Sequence, residues 1–494
     1  MYKYALARIF IRFLWLIRWA LGADGRTYLV LFAPRLQPFL AFVGRVRAFA
    51  VFERARRDCP AYREFLKAEN YQSENGWRLE NVPVMTKENY VKKYTLEERC
   101  YGGAIPAPGS VIDESSGSSG VPNNWVRSAS ERKDVKRVLQ LNYEIIYNDK
   151  SCILLNCFAL GPWATGMNVS MSLADVGILK SIGPEAQKLE NTLRLFGAKY
   201  RYLIFGYPPF LKAWLDETEL DLSLYRIDAV VGGEGMSEGL RSHFLKFFNS
   251  VVSSYGASDL EINIGVETEL TIALRRLCFQ NRSLSEKLFG RETPPMIFQY
   301  NAADYIIETN AEGELIFTIT RFEGAAPKIR YNLRDSGGCY VYEDLSALLK
   351  SEGFEIAELA ERQSAFPILY VHGRNDLSVP FYGAKIFPHD LEEIINTNPA
   401  LVGRINSFQI KSDESPDLKR TLKIHLEKVR LPKNDLPVGE ELHELIFAEL
   451  CRVNQDFREV TKMFDRNQVE IYLHDFETDM FAGRDIRIKN KYIG

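Results

Sequence analysis

The chain has 494 residues, more than a single ordinary hydrophobic core supports, so two or more domains are expected. Its 46% hydrophobic and 26% charged residues are typical of a globular protein, and the formal net charge of −3 gives no case for nucleic acid as a partner. The seven scattered cysteines form no Cys-x-x-Cys pair and the six histidines show no metal-ligand spacing, which argues against a disulfide framework or a zinc site and for a cytoplasmic location.

The N-terminal segment, residues 1–54, is predicted to be a separate helical segment rich in basic and aromatic side chains. Residues 1–57 carry eleven Lys and Arg but two acidic side chains. Bulky apolar residues stand between the cations: Ile9, Phe10, Phe13, Trp15 and Trp19. Because the cations interrupt each apolar run well short of the ~20 residues that span a bilayer, no membrane-spanning helix is expected. Residues 1–21 either make peripheral contact with an anionic membrane surface, at its inner face, or pack on the protein itself with the arginines outward.

A run of small residues follows an acidic pair: Ser115, Ser116, Gly117, Ser118, Ser119 and Gly120. Such a run cannot build a core, but its N–H and hydroxyl groups can surround an anion, and glycine allows a close backbone approach. Pro122 prevents a simple continuation as a helix. The run therefore predicts a loop that binds a polyphosphate, and the alternative is a flexible linker. It is not a Walker loop, because no Gly-Lys-Ser/Thr ends it.

Further along the chain, segments with helical and strand patterns alternate. Residues 130–148 and 185–197 have helical spacing, and four apolar runs are predicted strands. Those strands cover 153–155, 202–205, 227–231 and 251–255. Gly232, Gly233 and Glu234 follow the third strand directly. The alternation predicts an α/β fold with sites at the carboxyl ends of strands.

The fourth predicted strand leads into a short polar segment. Its residues are Tyr255, Gly256, Ala257, Ser258, Asp259, Leu260 and Glu261. An aromatic ring, a tight glycine turn and two carboxylates fit a nucleotide base and a hard cation such as Mg²⁺. The alternative is a strand-to-helix turn that Ser258 or Asp259 caps.

Two later segments also combine charged residues with glycine. In the first, Arg330, Arg334 and Asp335 precede a Gly-Gly turn; a carboxylate can hold ribose hydroxyls, and arginine can hold phosphate. The alternative there is a surface ion pair. The second segment runs from Gly373 to Asp376 and is followed by another turn, which fits a domain hinge.

In this order, the motifs together resemble the adenylate-forming superfamily of acyl-CoA synthetases, adenylation domains and luciferases. Among its branches, the chain is most similar to phenylacetate–CoA ligase and its capsule-biosynthesis relatives. The resemblance implies that Ser115–Gly120 binds the phosphates of ATP and that Gly232–Glu234 lines the adenine. It also implies that Tyr255–Ser258 contacts the nucleotide and that Asp259 holds Mg²⁺.

The resemblance extends to the remaining motifs, with departures near the C-terminus. It implies that Asp335 takes the ribose hydroxyls, that Arg374 contacts phosphate and that Asp376 is the hinge. Asp259 replaces the usual glutamate, so Glu261 is a rival metal ligand. The adenylation lysine of the family follows a glycine, and here that place holds an arginine; the nearest lysine comes five residues later. The two candidates for this catalytic role are Arg484 and Lys489.

The resemblance also implies an architecture and a reaction. The architecture is α/β, with a large multi-layer N-terminal domain of β-sheets and helices over 55–375 and a small, mobile α+β C-terminal domain over 376–494. In the reaction, ATP and Mg²⁺ activate a small carboxylic acid, aryl or fatty, to an acyl-adenylate with release of pyrophosphate. The acyl group then passes to a thiol, with CoA as the expected acceptor. The alternatives are an amine, a carrier protein or a sugar as acceptor, or a non-catalytic nucleotide-binding protein at a membrane.

Overall fold

The computed structural model describes most of the chain. The described residues are 2–20, 30–72, 77–114, 123–147, 149–361, 364–374, 378–381, 384–414, 420–430, 436–454, 457–458, 461 and 464–482. In the first helix, side chains are described as far as Leu14.

The chain divides into two compact units, each assembled from segments that are distant in sequence. The first unit comprises Met1–Gly183, Ser254–Ala273 and Ile297–Val371, and the second comprises Pro184–Ser253, Leu274–Met296 and His372–Gly494. Both units contain helices and strands, which confirms the predicted α/β class. The domain boundaries expected at 54/55 and 375/376 stay predictions.

Three helices open the first unit: α1 (Tyr2–Ala20), α2 (Gln37–Asp58) and α3 (Pro60–Ala68). Proline stands in the first turn of both α2 and α3, where its missing N–H is not needed. α1 packs on α2 through Tyr4 and Ala7, which are buried together with Ala50. Gly44 lets α2 approach the backbone of Ala302, because a Cβ at this position would overlap the carbonyl oxygen.

The other elements follow in three groups, and from β2 to β7 strands and helices alternate one by one. From residue 111 to 255 they are β1 (Val111–Glu114), β2 (Asn124–Arg127), α4 (Ala129–Ile146), β3 (Ile153–Asn156), α5 (Ala164–Leu173), β4 (Ile178–Ser181), α6 (Ala186–Phe196), β5 (Arg201–Gly206), α7 (Pro208–Glu217), β6 (Arg226–Gly232), α8 (Glu238–Phe244) and β7 (Ser250–Tyr255). From residue 265 to 374 they are β8 (Gly265–Val266), α9 (Glu269–Gln280), α10 (Arg282–Phe289), β9 (Met296–Gln299), β10 (Tyr305–Thr309), β11 (Glu314–Ile319), β12 (Tyr331–Tyr340), α11 (Tyr342–Ser351) and β13 (Ile368–Arg374). The last are β14 (Val379–Phe381), β15 (Ala384–Ile386), α12 (Pro388–Thr397), β16 (Ile405–Glu414), β17 (Arg420–Lys428), α13 (Glu440–Val453) and β18 (Val469–His474). Each of the four predicted strands and both predicted helices coincide with an element, which confirms them.

Short helical turns connect several of these elements. The 3₁₀ turns are Pro34–Leu36, Leu79–Asn81, Tyr101–Gly103, Leu222–Leu224, Ile356–Glu358, Arg466–Gln468 and Asp479–Phe481, and Lys87–Val91 is a π-helical turn. Thr86 caps that π turn, because its hydroxyl accepts a hydrogen bond from the Asn89 N–H at 3.1 Å. The cap fixes the start of the turn and so the position of Lys87.

Within the first unit, strands pair mostly in antiparallel fashion. β1 pairs with β2, with Val111 opposite Arg127. The end of β7 pairs with β8, where Tyr255 lies opposite Gly265, and β10, β11 and β12 form a meander. β3 and β4 are parallel. One expectation is wrong here: the Gly-Gly turn after Asp335 is part of the ten-residue strand β12, because both glycines lie against Tyr370, where a Cβ would overlap.

The second unit contains a parallel pair and a C-terminal core. β5 and β6 pair in parallel, with Leu203 opposite Asp228, and their apolar runs are buried almost throughout. Toward the C-terminus, β16 and β17 are antiparallel and β17 and β18 are parallel. One apolar cluster, formed by residues between Val379 and Leu473, packs these strands with α12 and α13. This part of the chain therefore has a hydrophobic core of its own.

Candidate active site

The polar segment after β7 forms a tight loop in the first unit. The Ala257 N–H donates to the Glu261 carbonyl at 3.0 Å, which closes the turn. Gly256 is required here, because a Cβ would lie 2.7 Å from both the Asn263 nitrogen and the Glu261 carbonyl oxygen. The loop leads into β8, so the alternative interpretation as a strand-to-helix turn is wrong.

A buried arginine holds this loop in place. Arg127, on β2, donates from Nη2 to the Ser258 carbonyl at 2.5 Å and from Nη1 to the Leu260 carbonyl. The same guanidinium contacts the carboxylates of Asp113 at 3.0 Å and Glu131 at 3.2 Å. With only 5% of Arg127 exposed, these partners replace water around its charge. The loop is thus fixed through its backbone, which leaves its side chains available for other contacts.

Glu131 also binds the buried Lys328, at 3.2 Å from Nζ to Oε1. Burial alone would raise the pKa of Glu131, but the charges of Lys328 and Arg127 outweigh it and bring that pKa to about 2. Burial, and after it the nearby Arg127 charge, lower the pKa of Lys328, while the Glu131 charge raises it. The resulting pKa of Lys328 is about 8. The structure therefore favours an ionised Glu131 at neutral pH.

This network predicts a pH dependence of stability. Since the pKa of folded Glu131 is depressed from 4.5 to about 2, its stabilisation is present above pH 4.5 and is lost as pH falls toward 2. We expect the difference in unfolding free energy between wild type and Glu131→Gln to shrink by about 1–2 kcal/mol between about pH 6 and pH 3.5. Urea unfolding of both proteins across that range measures it. If the difference in unfolding free energy stayed constant across that range, the pKa of Glu131 would not be lowered by folding.

Asp259, the first candidate metal ligand, already has three donors. Its Oδ1 accepts from Trp125 Nε1 at 3.1 Å, and its Oδ2 accepts from the Tyr331 hydroxyl and from Lys87 Nζ, each at 3.2 Å. Asp259 is 3% exposed, so these contacts satisfy a buried carboxylate. A cation at this carboxylate would have to displace Lys87.

Glu261, the rival metal ligand, points to a different set of partners. Its Oε2 accepts from the Tyr305 hydroxyl and forms an ion pair with Arg321. Its Oε1 is buried and has no hydrogen-bond partner. Both candidate metal ligands thus carry an ion pair with a cationic side chain, and Glu261 in addition keeps one oxygen without a hydrogen-bond partner. Within the described residues there is no group of three His, Cys, Asp or Glu that could hold a metal ion.

The structure brings the expected ribose ligand and the loop tyrosine together. The Tyr255 hydroxyl donates to Oδ2 of Asp335 on β12. The Tyr255 ring lies 5.7 Å from the Phe298 ring and 6.0 Å from the Phe317 ring, measured between centroids. Packing against two rings fixes the orientation of the tyrosine. Two motifs that are 80 residues apart in sequence thus meet at one half-buried point.

Arg330, in contrast, is occupied by structural contacts. Its Nε lies 3.0 Å from Glu308, and its Nη1 donates to the carbonyls of Glu80 and Val82. The alternative prediction for this segment was an ion pair at the surface. Arg330 does form an ion pair, but both of its side chains are largely buried. The guanidinium therefore tethers a neighbouring turn.

In the second unit, β6 ends at Gly232 and is followed by a tight turn. Gly233 has a φ of +82°, and a Cβ there would come within 2.6 Å of the Tyr207 ring. Burial raises the pKa of Tyr207 to about 12, and the nearby charge of Glu234 acts in the same direction. Gly233 is therefore packed on an aromatic side chain of the protein, and the role of Gly232–Glu234 in lining the adenine stays a prediction.

Arg374 ends β13 and is half-buried. The remaining expected site residues lie outside the described residues. They are Ser115, Ser116, Gly117, Ser118, Ser119, Gly120, Asp376, Arg484 and Lys489. Their assigned roles stay predictions.

The sequence interpretation missed the residues that support the loop. They are Lys87, Trp125, Arg127, Tyr331 and Lys328. The one local signal was the pair Arg127 and Glu131, whose spacing of four residues permits an ion pair. Arg127 and Asp113 are 14 positions apart, and the remaining contacts join residues more than seventy positions apart, which a local pattern does not reveal.

Comparison of the whole chain with protein-family models gives no match, and comparison with curated protein sequences gives none either. Solved structures do match. A 2-hydroxyisobutyryl-CoA ligase in the postadenylation state, in complex with 2-HIB-AMP, has a TM-score of 0.63 at 12% identity, over 93% of this chain and 90% of that one. The AtGH3.15 acyl acid amido synthetase in complex with 2,4-DB has a TM-score of 0.61 at 15% identity, over 95% and 94%.

An open conformation of the same CoA ligase, in complex with 2-HIB-AMP and CoA, matches with a TM-score of 0.52 at 13% identity, over 91% of each chain. The similarities cover nearly the whole chain, at sequence identities that show the fold alone. The chain therefore has the fold of the adenylate-forming enzymes, which confirms the fold implied by the motif order.

Proposed function

We propose that this protein uses ATP to activate a carboxylic acid as an acyl-adenylate, with release of pyrophosphate. The observation that carries the proposal is the half-buried contact between the Tyr255 hydroxyl and the Asp335 carboxylate, in a chain with the adenylate-forming fold. A buried carboxylate beside an oriented aromatic ring suits the hydroxyls of a ribose. The resemblance in sequence order supports the same placement.

In this mechanism the protein positions two substrates and neutralises charge. A carboxylate oxygen of the acid attacks the α-phosphorus of ATP, forming the acyl–phosphate bond as the bond to pyrophosphate breaks. Ser115–Gly120 would bind the phosphates, and Gly232–Glu234 would line the adenine. Mg²⁺ would neutralise phosphate charge, held by Glu261 or Asp259. Arg374, together with Arg484 or Lys489, would offset the charge that develops at the α-phosphate.

The second step transfers the acyl group, and we propose CoA as the acceptor. The thiolate sulfur attacks the acyl carbon, and AMP leaves with the electrons of the broken acyl–oxygen bond. Rotation of a small domain, residues 376–494, about Asp376 would switch between the two steps. The similarity to a CoA ligase supports this acceptor. The nearly equal similarity to an amido synthetase supports an amine as the second candidate.

Product analysis tests the acceptor. The full chain is incubated with ATP, Mg²⁺, CoA and a panel of aryl and fatty acids, and AMP and acyl-CoA are measured by mass spectrometry. The proposal predicts AMP and acyl-CoA in equal amounts, and AMP release that falls when CoA is left out. Amide formation from an added amine, with no thioester, would reject CoA while leaving the adenylation step intact.

A further inference from the structure

We propose that the outer surface of α1 and α2 docks on an anionic lipid bilayer. This N-terminal surface consists of Leu6, Ile9, Phe13, Phe39 and Phe42, together with the cations Lys3, Arg8 and Arg12. The proposal concerns where the protein works, and it is independent of the chemistry proposed above.

The buried face of α1 is accounted for by the protein itself. Tyr4 and Ala7 are buried against α2, and Phe10 and Leu14 pack against Leu40 and Val43 on the same helix. The guanidinium of Arg57 also lies over the Tyr4 ring, 3.8 Å from its centroid. The described part of α1 is therefore held on the protein, which is one of the two arrangements predicted for this segment.

The opposite face of α1 leaves large apolar side chains exposed. Ile9 is 64% exposed, Phe13 58% and Leu6 48%. Their spacing of three and four residues places them on one stripe of the helix. On α2, Phe42 is 54% exposed, and its ring touches that of Phe10 at 5.9 Å between centroids. Phe10 lies four residues after Leu6, so its contact with Phe42 brings the exposed apolar stripe of α1 next to α2. Exposed apolar side chains grouped in this way mark an interaction site.

Cations border this surface on both sides. With 3.6 residues per turn, Lys3 lies on one flank of the Leu6–Phe13 stripe and Arg12 on the other. Arg8 lies beyond Arg12, with its guanidinium 5.7 Å from the centroid of the Tyr4 ring. All three are exposed. The sequence of α1 contains no acidic residue. Apolar and aromatic side chains between cations are typical of helices that lie at the headgroup level of an anionic bilayer.

The charge pattern favours a bilayer over a second copy of the chain. A two-fold interface through this surface would bring its cations close to the same cations of the partner, which repel. Anionic headgroups attract all of them at once. Among the described residues, no helix is long and apolar enough to cross a bilayer, so the contact is expected to lie on the surface.

Vesicle co-sedimentation of the full chain tests the proposal. The vesicles are made of phosphatidylcholine alone or of a phosphatidylcholine–phosphatidylglycerol mixture. We expect binding to the mixed vesicles at about 0.05 M salt, at least tenfold weaker binding to the neutral vesicles, and weaker binding to the mixed vesicles at about 0.5 M salt.

Each cation near the surface is worth a factor of about five in affinity, so Lys3→Gln with Arg12→Gln should weaken binding to the mixed vesicles roughly 25-fold.

A second pair of variants separates the apolar contribution. Ile9→Ser with Phe13→Ser should weaken binding at least tenfold, and Leu195→Ser with Leu224→Ser, at two other exposed leucines, should leave it unchanged. Circular dichroism of each variant confirms that it is folded. Failure to bind mixed vesicles, equal binding to both vesicle types, or unchanged binding by the Ile9/Phe13 variant would overturn the proposal. So would a self-association that the same variant abolishes.

Discussion

An Arg127→Ala variant is expected to lose about 3–5 kcal/mol of unfolding free energy. The substitution leaves the Asp113 and Glu131 carboxylates buried without their shared cation. It also removes the donors to the Ser258 and Leu260 carbonyls, so the loop after β7 loses its anchor. Urea unfolding at pH 7 measures the loss.

Two further variants make this prediction specific. Arg194→Ala removes an arginine that is 55% exposed and lies 3.9 Å from Glu190, and it should change stability by less than about 0.5 kcal/mol. Arg127→Lys keeps the charge but not the fork that reaches two carbonyls and two carboxylates, so an intermediate loss is expected. If Arg127→Ala were as stable as Arg194→Ala, the anchoring role would be wrong.

Asp335→Ala is expected to weaken ATP binding by roughly 10- to 150-fold, equivalent to about 1.5–3 kcal/mol. If Asp335 accepts hydrogen bonds from the ribose hydroxyls, the alanine removes a charged acceptor that the bound nucleotide needs. Isothermal titration calorimetry with ATP and Mg²⁺ measures the effect. ATP affinity that stays unchanged in a folded variant would reject this role.

Tyr255→Phe is the matched control for Asp335→Ala. It removes the hydroxyl that donates to Asp335 but keeps the ring between Phe298 and Phe317. The carboxylate is then still available to the ribose, so we expect a smaller loss of affinity than for Asp335→Ala. Equal losses would mean that Asp335 acts by holding the tyrosine.

The sequence predicts the elements of this fold better than it predicts their contacts. The runs at 202–205 and 227–231, which are apolar except for Asp228, lie within β5 and β6, because buried parallel strands are nearly continuously apolar. The turn at Gly256 is likewise a local property of a glycine whose missing Cβ makes room for the backbone. Such features depend on a few neighbouring residues.

The contacts that support the candidate site depend on residues that are distant in sequence. Asp259 receives its donors from Lys87, Trp125 and Tyr331, which come from a π turn and two different strands. A buried tryptophan N–H or lysine in a single sequence does not indicate which carboxylate it will meet. The prediction of a turn at the Gly-Gly pair after Asp335 is wrong for the same reason. Tyr370, which leaves no room for a Cβ at either glycine, lies on another strand.

ATP–pyrophosphate exchange tests the central claim most directly. The full chain is supplied with ATP, Mg²⁺, labelled pyrophosphate and, one at a time, aryl and fatty acids, with CoA left out. If the protein forms an acyl-adenylate, label will enter ATP with at least one acid, and Asp335→Ala will reduce this exchange. No exchange with any acid, by a protein that calorimetry shows to bind ATP, would contradict the account and favour a non-catalytic nucleotide-binding protein.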